Sequence, residues 1–284
     1  MAHSGTVLSG SEIEHFIDRA LAEDIGSGDI TTTAVIPQDA RLHAEMRARE
    51  QLVVAGLDIA LGVFKRLAPD SVAESHVRDG DRVEPGAALA RIGGPARGLL
   101  SAERTALNIV QHLSGIATLT RAFVERVAGT GAVILDTRKT VPGLRLLAKY
   151  ATAVGGARNH RFGLHDGVLI KDNHIAVCGG IKQAVEAAQA RGLADIEVEC
   201  DSLDQVREAL ELRVPHLLLD NMDVATLRQA VALARGRATT EASGGVTMDS
   251  VRAIAETGVD YVSVGRITQS APAVDIGLDY APGA

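Results

Sequence analysis

From residue 129 onward the chain repeats one pattern. A short apolar run ends in a polar or charged residue, and an amphipathic stretch follows. The runs are AVILDT, GVLIKDN, DIEVEC, HLLLDNM, TTEASGG and YVSVGRI. The intervening helices include Ile181–Ala190, Leu203–Leu212, Val224–Ala234 and Met248–Glu256, and Ser202 with Gln205 has capping-box spacing. Strand–helix alternation of this kind predicts parallel sheet with crossover helices. The expected class is α/β, an incomplete or irregular (β/α) barrel preceded by a small α+β sandwich domain. An open doubly wound sheet is the alternative. No Gly-x-Gly-x-x-Gly follows the first strand to support a dinucleotide site there.

In a barrel the chemistry sits at the carboxyl ends of the strands. Those ends carry Asp136 with Thr137, Arg138 and Lys139, then Lys171, Glu199, Asp220, Ser243-Gly244-Gly245, and Val264-Gly265-Arg266. Charged ends on successive apolar strands argue for a functional mouth. Between Thr137 and His165 there are six Lys or Arg and no Asp or Glu, in a protein of net charge −7. Interleaved Gly, Pro and apolar residues set this segment apart from a solvated basic helix face, and its strand ends suggest a pocket for a small, highly charged anion. Arg145, Lys149 and Arg158, within it, are assigned to a solvated face.

Ser243-Gly244-Gly245 follows a strand and precedes a helix expected to start near Thr247. Glycines let the backbone approach closely, and free N–H groups at a helix N-terminus bind phosphate. Gly265-Arg266 occupies the next strand-end loop, so the two match the late-strand phosphate site of many barrels. Glu199 and Asp220 stand on neighbouring strands. They are suited to Mg²⁺, which takes a few carboxylates plus substrate phosphate oxygens, and equally to pairing with nearby lysines.

The first part of the chain reads as a separate α+β unit. Ser11–Asp24 is expected to be a helix, capped by Ser11 and Glu14. ITTTAVIP, RLHAEMRARE and QLVVAGL read as strands, and Asp58–Leu67 as a second helix. The stretch HVRDGDRVEPGAALARIGGPARGLL has the Asp-Gly-x-x-Val-x-x-Gly-x-x-Leu spacing of a lipoyl or biotinyl carrier. Such a carrier needs an exposed Lys, and none occurs from Val72 to Leu100. It reads instead as a hammerhead of short strands. Ser101–Ala128 is a long helix that Ser114-Gly115 should interrupt, with Arg104 on its first turn, where a cation opposes the helix dipole. The domains expected are 1–110, α+β with the linking helix; 111–270, the barrel; and 271–284, a tail able to return to the N-terminal domain. Residues 1–10 are expected to be disordered.

The acidic balance argues against a general nucleic-acid binder, and no apolar run is long enough to span a bilayer. No secretory signal is apparent at the N-terminus. Cys178 and Cys200 lack metal-ligand spacing and read as reduced thiols of a cytoplasmic protein. Aromatic residues are only 2 %, so the core must be aliphatic. There is no Ser-His-Asp set and no P-loop. The strand-end cations, the phosphate loop and the carboxylate pair point to electrostatic and positional chemistry on a substrate with several anionic groups.

The motif DTRKT-x-PGLR…KY…GG…NHR-x-GL-x-D-x-x-LIK-x-NHI resembles that of the quinolinate phosphoribosyltransferases. The similarity extends to LAEDIGSGDITT, ERTALNIVQHLSGIAT, EVE, LLLDNM, EASGG and TGVDYVSVG, and so over nearly the whole chain. A molybdenum-operon paralogue shares Asp-Thr-Arg-Lys, but Asn159-His160-Arg161 and the LIKDNH run disfavour it. The resemblance implies conversion of quinolinate and phosphoribosyl pyrophosphate to nicotinate mononucleotide, pyrophosphate and CO₂, with Mg²⁺. It implies that Arg104, Arg138, His160, Arg161 and Lys171 surround quinolinate, and that Lys139 and Lys171 face the phosphoribosyl donor. Glu199 and Asp220 would hold the ribose hydroxyls or the metal; Ser243, Gly244, Gly245, Val264, Gly265 and Arg266 would bind the 5′-phosphate. Lys139, Lys171, Glu199 and Asp220 are the catalytic candidates. A homodimer is implied, with Arg104 reaching the partner's site. Arg266 and Gln269 depart from the family pattern, which has a small residue and often His at those positions.

Overall fold

The computed structural model describes residues 8–281. It contains α1 (Gly10–Ile25), α2 (Ile30–Val35), β1 (Arg41–Ala48), β2 (Leu52–Val53), α3 (Leu57–Leu67), β3 (Val72–Ser75), β4 (Arg82–Val83), β5 (Ala88–Pro95) and α4 (Ala96–Arg126). Then come β6 (Val133–Leu135), α5 (Arg145–Gly155), β7 (Val168–Ile170), α6 (Asp172–Cys178), α7 (Ile181–Gln189), β8 (Ile196–Cys200), α8 (Leu203–Glu211) and β9 (His216–Asp220). The last are α9 (Val224–Ala234), β10 (Thr239–Ser243), α10 (Val251–Ala255), β11 (Tyr261–Ser263), α11 (Arg266–Gln269) and β12 (Ile276–Ala281). Two compact units result. One contains the described residues up to Arg121, Leu146–Gly156 and those from Ser270 on; the other contains Ala122–Arg145 and Ala157–Gln269.

The first unit is built on a four-stranded antiparallel sheet of order β12-β1-β5-β3, with β2 and β4 forming a separate two-stranded ribbon. Five local expectations fail here. The first helix starts earlier than Ser11, because Ser9 and Glu12 form the capping box. Ser9 and Gly10 are therefore ordered, while the disorder expected of residues 1–7 lies outside the described residues. The Thr-rich segment is the helix α2, not a strand: Asp29 accepts the Thr32 N–H at 2.8 Å as N-cap, which outweighs the β-propensity of three threonines.

Ser114-Gly115 does not interrupt α4, which runs unbroken for 31 residues. Both residues are packing devices instead. The Ser114 hydroxyl accepts from the Ala55 N–H at 3.0 Å, and a Cβ on Gly115 would fall 2.0 Å from the Pro272 carbonyl oxygen. Lys149, expected on a solvated face, is fully buried in α5.

The second unit holds six parallel strands in the order β6-β11-β10-β9-β8-β7. Consecutive strands from β7 to β11 are neighbours, and β11 returns to β6. Among the described residues β6 and β7 do not pair, so the barrel is incomplete. Residues 157–159 run along the free edge of β6 through a parallel bridge between Leu135 and Arg158. The strands are short and apolar, and Ile134, Leu135, Val198, Leu217, Leu219 and Val262 are buried. Helices α7, α8 and α9 each bury one stripe, including Val185, Val206 and Leu227. α10 starts at Val251 rather than near Thr247, because residues 247–250 close a turn in which Thr247 and Ser250 bond each other. The glycines after β10 therefore do not open directly into a helix.

Candidate active site

The carboxyl ends of the parallel strands surround a cavity of about 400 Å³. β6 delivers Asp136, Thr137, Arg138 and Lys139; the following segment delivers His160 and Arg161; β7 delivers Leu169 and Lys171. β8 contributes Glu199, β9 Leu218, Asp220 and Asn221, β10 Glu241 and Ser243 to Val246, and β11 Ser263 and Gly265. Most of the strand-end residues singled out from sequence thus meet at one place.

Asp136 has a different task from the other strand-end charges. It has no exposed surface and accepts the His160 peptide N–H at 2.8 Å and the Asn159 amide at 2.7 Å. It anchors the Asn159-His160-Arg161 turn to the end of β6. Thr137 accepts the Lys139 N–H at 3.0 Å, and Thr268 donates to the Lys139 carbonyl at 2.8 Å. A Cβ on Gly265 would lie 3.0 Å from Lys139 Cδ, so glycine there makes room for the lysine stem.

Arg138 and Arg161 are the guanidinium pair of the cavity. Arg161 is 8 % exposed and donates to the Gly167 carbonyl at 3.0 Å. Burial and the neighbouring Arg138 charge both lower its pKa, a mark of two cations held together. Arg138 Nε is buried without a hydrogen-bond partner among the described residues. Buried polar groups are normally paired, so this N–H marks a place for an acceptor brought by a ligand.

Lys171 forms an ion pair with Glu199. Its peptide N–H is bound by His174 Nδ1 at 2.9 Å, so the Lys-Asp-Asn-His run turns β7 sharply into α6 and holds the lysine at the rim. Glu199, Asp201 and Asp220 bring carboxylate oxygens within 4.8 Å of one another. Asp220 receives the Asn221 amide at 2.5 Å. Asn221 is left-handed, with φ 53°, and its N–H donates to the Ser243 carbonyl at 2.9 Å. Gly244, with φ 92°, lies so close to it that a Cβ would fall 2.1 Å from Asn221 Oδ1.

Beneath the charges lies a buried cluster that the sequence reading missed. His160 Nε2 is 3.2 Å from Glu197 Oε2 and 3.3 Å from Glu241 Oε2. Burial alone would lower the His160 pKa, but the hydrogen bonds to Glu197 and Glu241 outweigh it and raise it to about 10. Glu197 stands between apolar residues in β8, the one signal in the sequence that could have found it, whereas Glu241 follows two threonines in β10.

Two expected site residues, Val264 and Arg266, are placed elsewhere. Val264 is buried and its N–H is bonded to the Leu135 carbonyl at 3.0 Å, so it offers no donor to a phosphate. Arg266 is exposed at the start of α11, outside the cavity lining. Arg104 is exposed on α4, in the other compact unit.

Residues 116–279 match the family described as quinolinate phosphoribosyl transferase, C-terminal domain, and residues 29–114 match its N-terminal domain. A nicotinate-nucleotide pyrophosphorylase [carboxylating] from Mycobacterium leprae is 47 % identical over 270 residues, covering 93 % of this chain and 95 % of the relative. A probable enzyme of the same name from Bacillus subtilis is 42 % identical over 270 residues, covering 94 % and 93 %. The solved nicotinate-nucleotide pyrophosphorylase from Francisella tularensis superposes with a TM-score of 0.92 at 38 % identity, over 97 % of this chain and 98 % of that one. By both halves of its sequence and by its fold, the chain belongs to the quinolinate phosphoribosyltransferase family.

Proposed function

We propose that the chain transfers phosphoribosyl from phosphoribosyl pyrophosphate to quinolinate and decarboxylates the product, yielding nicotinate mononucleotide, pyrophosphate and CO₂ for NAD biosynthesis. The observation that carries this reading is the pair Arg138 and Arg161 at one cavity, with a buried Arg138 N–H that has no acceptor among the described residues. Planar guanidinium forks suit the adjacent carboxylates of a pyridine di-acid.

Arg138, His160 and Arg161 would hold quinolinate. Lys139 and Lys171 would bridge it to the phosphoribosyl donor, with Ser243, Gly244 and Gly245 as the 5′-phosphate loop. As pyrophosphate leaves, the ribose C1 becomes cation-like, and Glu199 and Asp220 would favour that charge. The pyridine nitrogen attacks C1. The ring, now a pyridinium, draws the electron pair of its 2-carboxylate bond, and CO₂ departs. No protein nucleophile is needed.

The hard oxygen donors Glu199, Asp201 and Asp220 fit Mg²⁺ and would hold it. The ion would neutralise charge on the leaving pyrophosphate. Lys171, already paired with Glu199, is its competitor for that carboxylate.

A homodimer with Arg104 contributed across the interface is the assembly we infer from the family, and a reducing, cytoplasmic setting suits the free thiols. Exposed Cys178 and buried Cys200 are unpaired, and burial pushes the Cys200 thiol up to about 12. No helix among the described residues is long and apolar enough to cross a membrane.

The test is to incubate the protein with Mg²⁺, quinolinate and phosphoribosyl pyrophosphate and follow nicotinate mononucleotide and pyrophosphate. Stoichiometric formation of both is expected. No product at saturating substrates overturns the assignment, and consumption of nicotinate in place of quinolinate overturns its carboxylating part.

A further inference from the structure

The reaction consumes one proton, at the ring carbon that CO₂ leaves. Few groups at the cavity can supply it. Guanidinium groups do not give up protons near neutral pH, and the Lys171 ammonium is held by Glu199. The Arg161 peptide N–H lies 2.8 Å from His160 Nδ1, so the proton that the ring turns to the neighbouring carboxyls is the one on Nε2. That proton faces Glu197 and Glu241.

The cluster therefore contains two carboxyl groups and the one imidazole nitrogen that faces both. The Glu197 and Glu241 oxygens facing His160 lie within 4.8 Å of each other, and both residues are buried. Two carboxylates so close in a dry site do not both ionise; one keeps a proton. Burial raises the Glu241 pKa. Glu241 is the protonated member, and it lines the cavity together with Ser263, whereas Glu197 does not.

We propose that Glu241 is the acid that donates the final proton of the reaction, and that His160 is the positioning residue that holds it for the transfer. The assignment rests on the phosphoribosyl-transfer reading above. In the step, the bond between ring C2 and its carboxyl carbon breaks. CO₂ leaves without the electron pair, which stays on C2 beside the cationic nitrogen. C2 then takes the proton of the Glu241 carboxyl, forming a C–H bond as the O–H bond breaks. The resulting Glu241 carboxylate accepts the His160 Nε2–H and regains a proton from water once product has left.

The experiment separates the two halves of the reaction. Under single-turnover conditions, with Mg²⁺, quinolinate and phosphoribosyl pyrophosphate, pyrophosphate release and nicotinate mononucleotide formation are timed separately. Glu241→Gln keeps the shape but has no acidic proton. It is expected to release pyrophosphate near the wild-type rate and to form the mononucleotide about 100-fold more slowly. Equal loss of both steps means that Glu241 only shapes the pocket, and unchanged product formation means that another group, such as Lys139, is the donor; either overturns the proposal. Should the variant not fold, the wild type in deuterium oxide decides. Product formation is expected to slow while pyrophosphate release does not, and an isotope-insensitive product step overturns the assignment. If the wild type releases no pyrophosphate at all, it is the reaction reading that fails, and this assignment goes with it.

Discussion

Asp136 accepts the peptide N–H of His160 at 2.8 Å from a position with no exposed surface. The bond joins the end of β6 to the turn that carries both His160 and Arg161. Removing one side of a buried, charged hydrogen bond leaves the donors unsatisfied. Asp136→Ala is expected to cost about 2 kcal/mol or more of stability and to abolish turnover by releasing the turn. Urea unfolding and a substrate-saturated assay check both; a fully stable but inactive variant would mean that Asp136 acts on substrate directly.

The same turn makes stability depend on pH. The folded pKa of His160 is raised to about 10, because the hydrogen bonds to Glu197 and Glu241 outweigh burial, whereas the unfolded value is 6.5. A group whose pKa rises on folding stabilises fully below its unfolded value and loses that contribution as pH climbs to the folded one. Stability is therefore expected to fall between pH 6.5 and about 10 and to flatten above. Denaturant midpoints measured across this range should lose most of their slope in His160→Asn. An equal slope in the variant would locate the titration elsewhere.

The period of the apolar runs was enough to find six parallel strands and their charged ends, because strand burial imposes it directly. What a strand end does is not carried by that period. Asp136 and Lys171 look alike in the sequence, yet one is a buried anchor and the other a cavity cation. Glu197 escaped notice since a carboxylate within an apolar strand contradicts the pattern that locates the strand, and Glu241 since it follows two threonines in a strand that is polar already. Alternation in Ile-Glu-Val-Glu-Cys puts Glu197 and Glu199 on one face, and Glu199 lines the cavity, so that face is the inner one. Asp29 decided the fate of the Thr-rich segment through one capping bond, a local choice that composition does not register. Ser114 and Gly115, breakers by propensity, are kept within α4 by partners distant in sequence.

Arg138 and Lys139 contribute little to folding. Arg138 leaves a buried N–H unpaired, and Lys139 is exposed with only its stem against Gly265. Arg138→Ala and Lys139→Ala are each expected to lower kcat/KM by about 100-fold or more while the melting temperature stays nearly unchanged. Thermal melts beside steady-state kinetics test this. A marked loss of melting temperature would make these cations structural and weaken the case that the cavity binds a polyanion.

Gly244 and Gly245 are neighbours with left-handed backbones but different surroundings, so they separate the cost of conformation from the cost of contact. At Gly245, with φ 59°, a Cβ meets nothing within 4 Å. Gly245→Ala should therefore cost about 1 kcal/mol. At Gly244 the Cβ would fall 2.1 Å from Asn221 Oδ1 and 2.9 Å from its backbone nitrogen. Asn221 must then move, and with it the amide that orients Asp220 at 2.5 Å. Gly244→Ala is expected to raise KM for phosphoribosyl pyrophosphate about tenfold or more, the equivalent of about 1.4 kcal/mol of binding, with a smaller change in KM for quinolinate. Steady-state kinetics with each substrate varied in turn check it. Equal effects on both substrates, or equal effects of the two alanine variants, would mean that the Ser243–Gly245 loop does not hold the phosphoribosyl donor through its contact with Asn221.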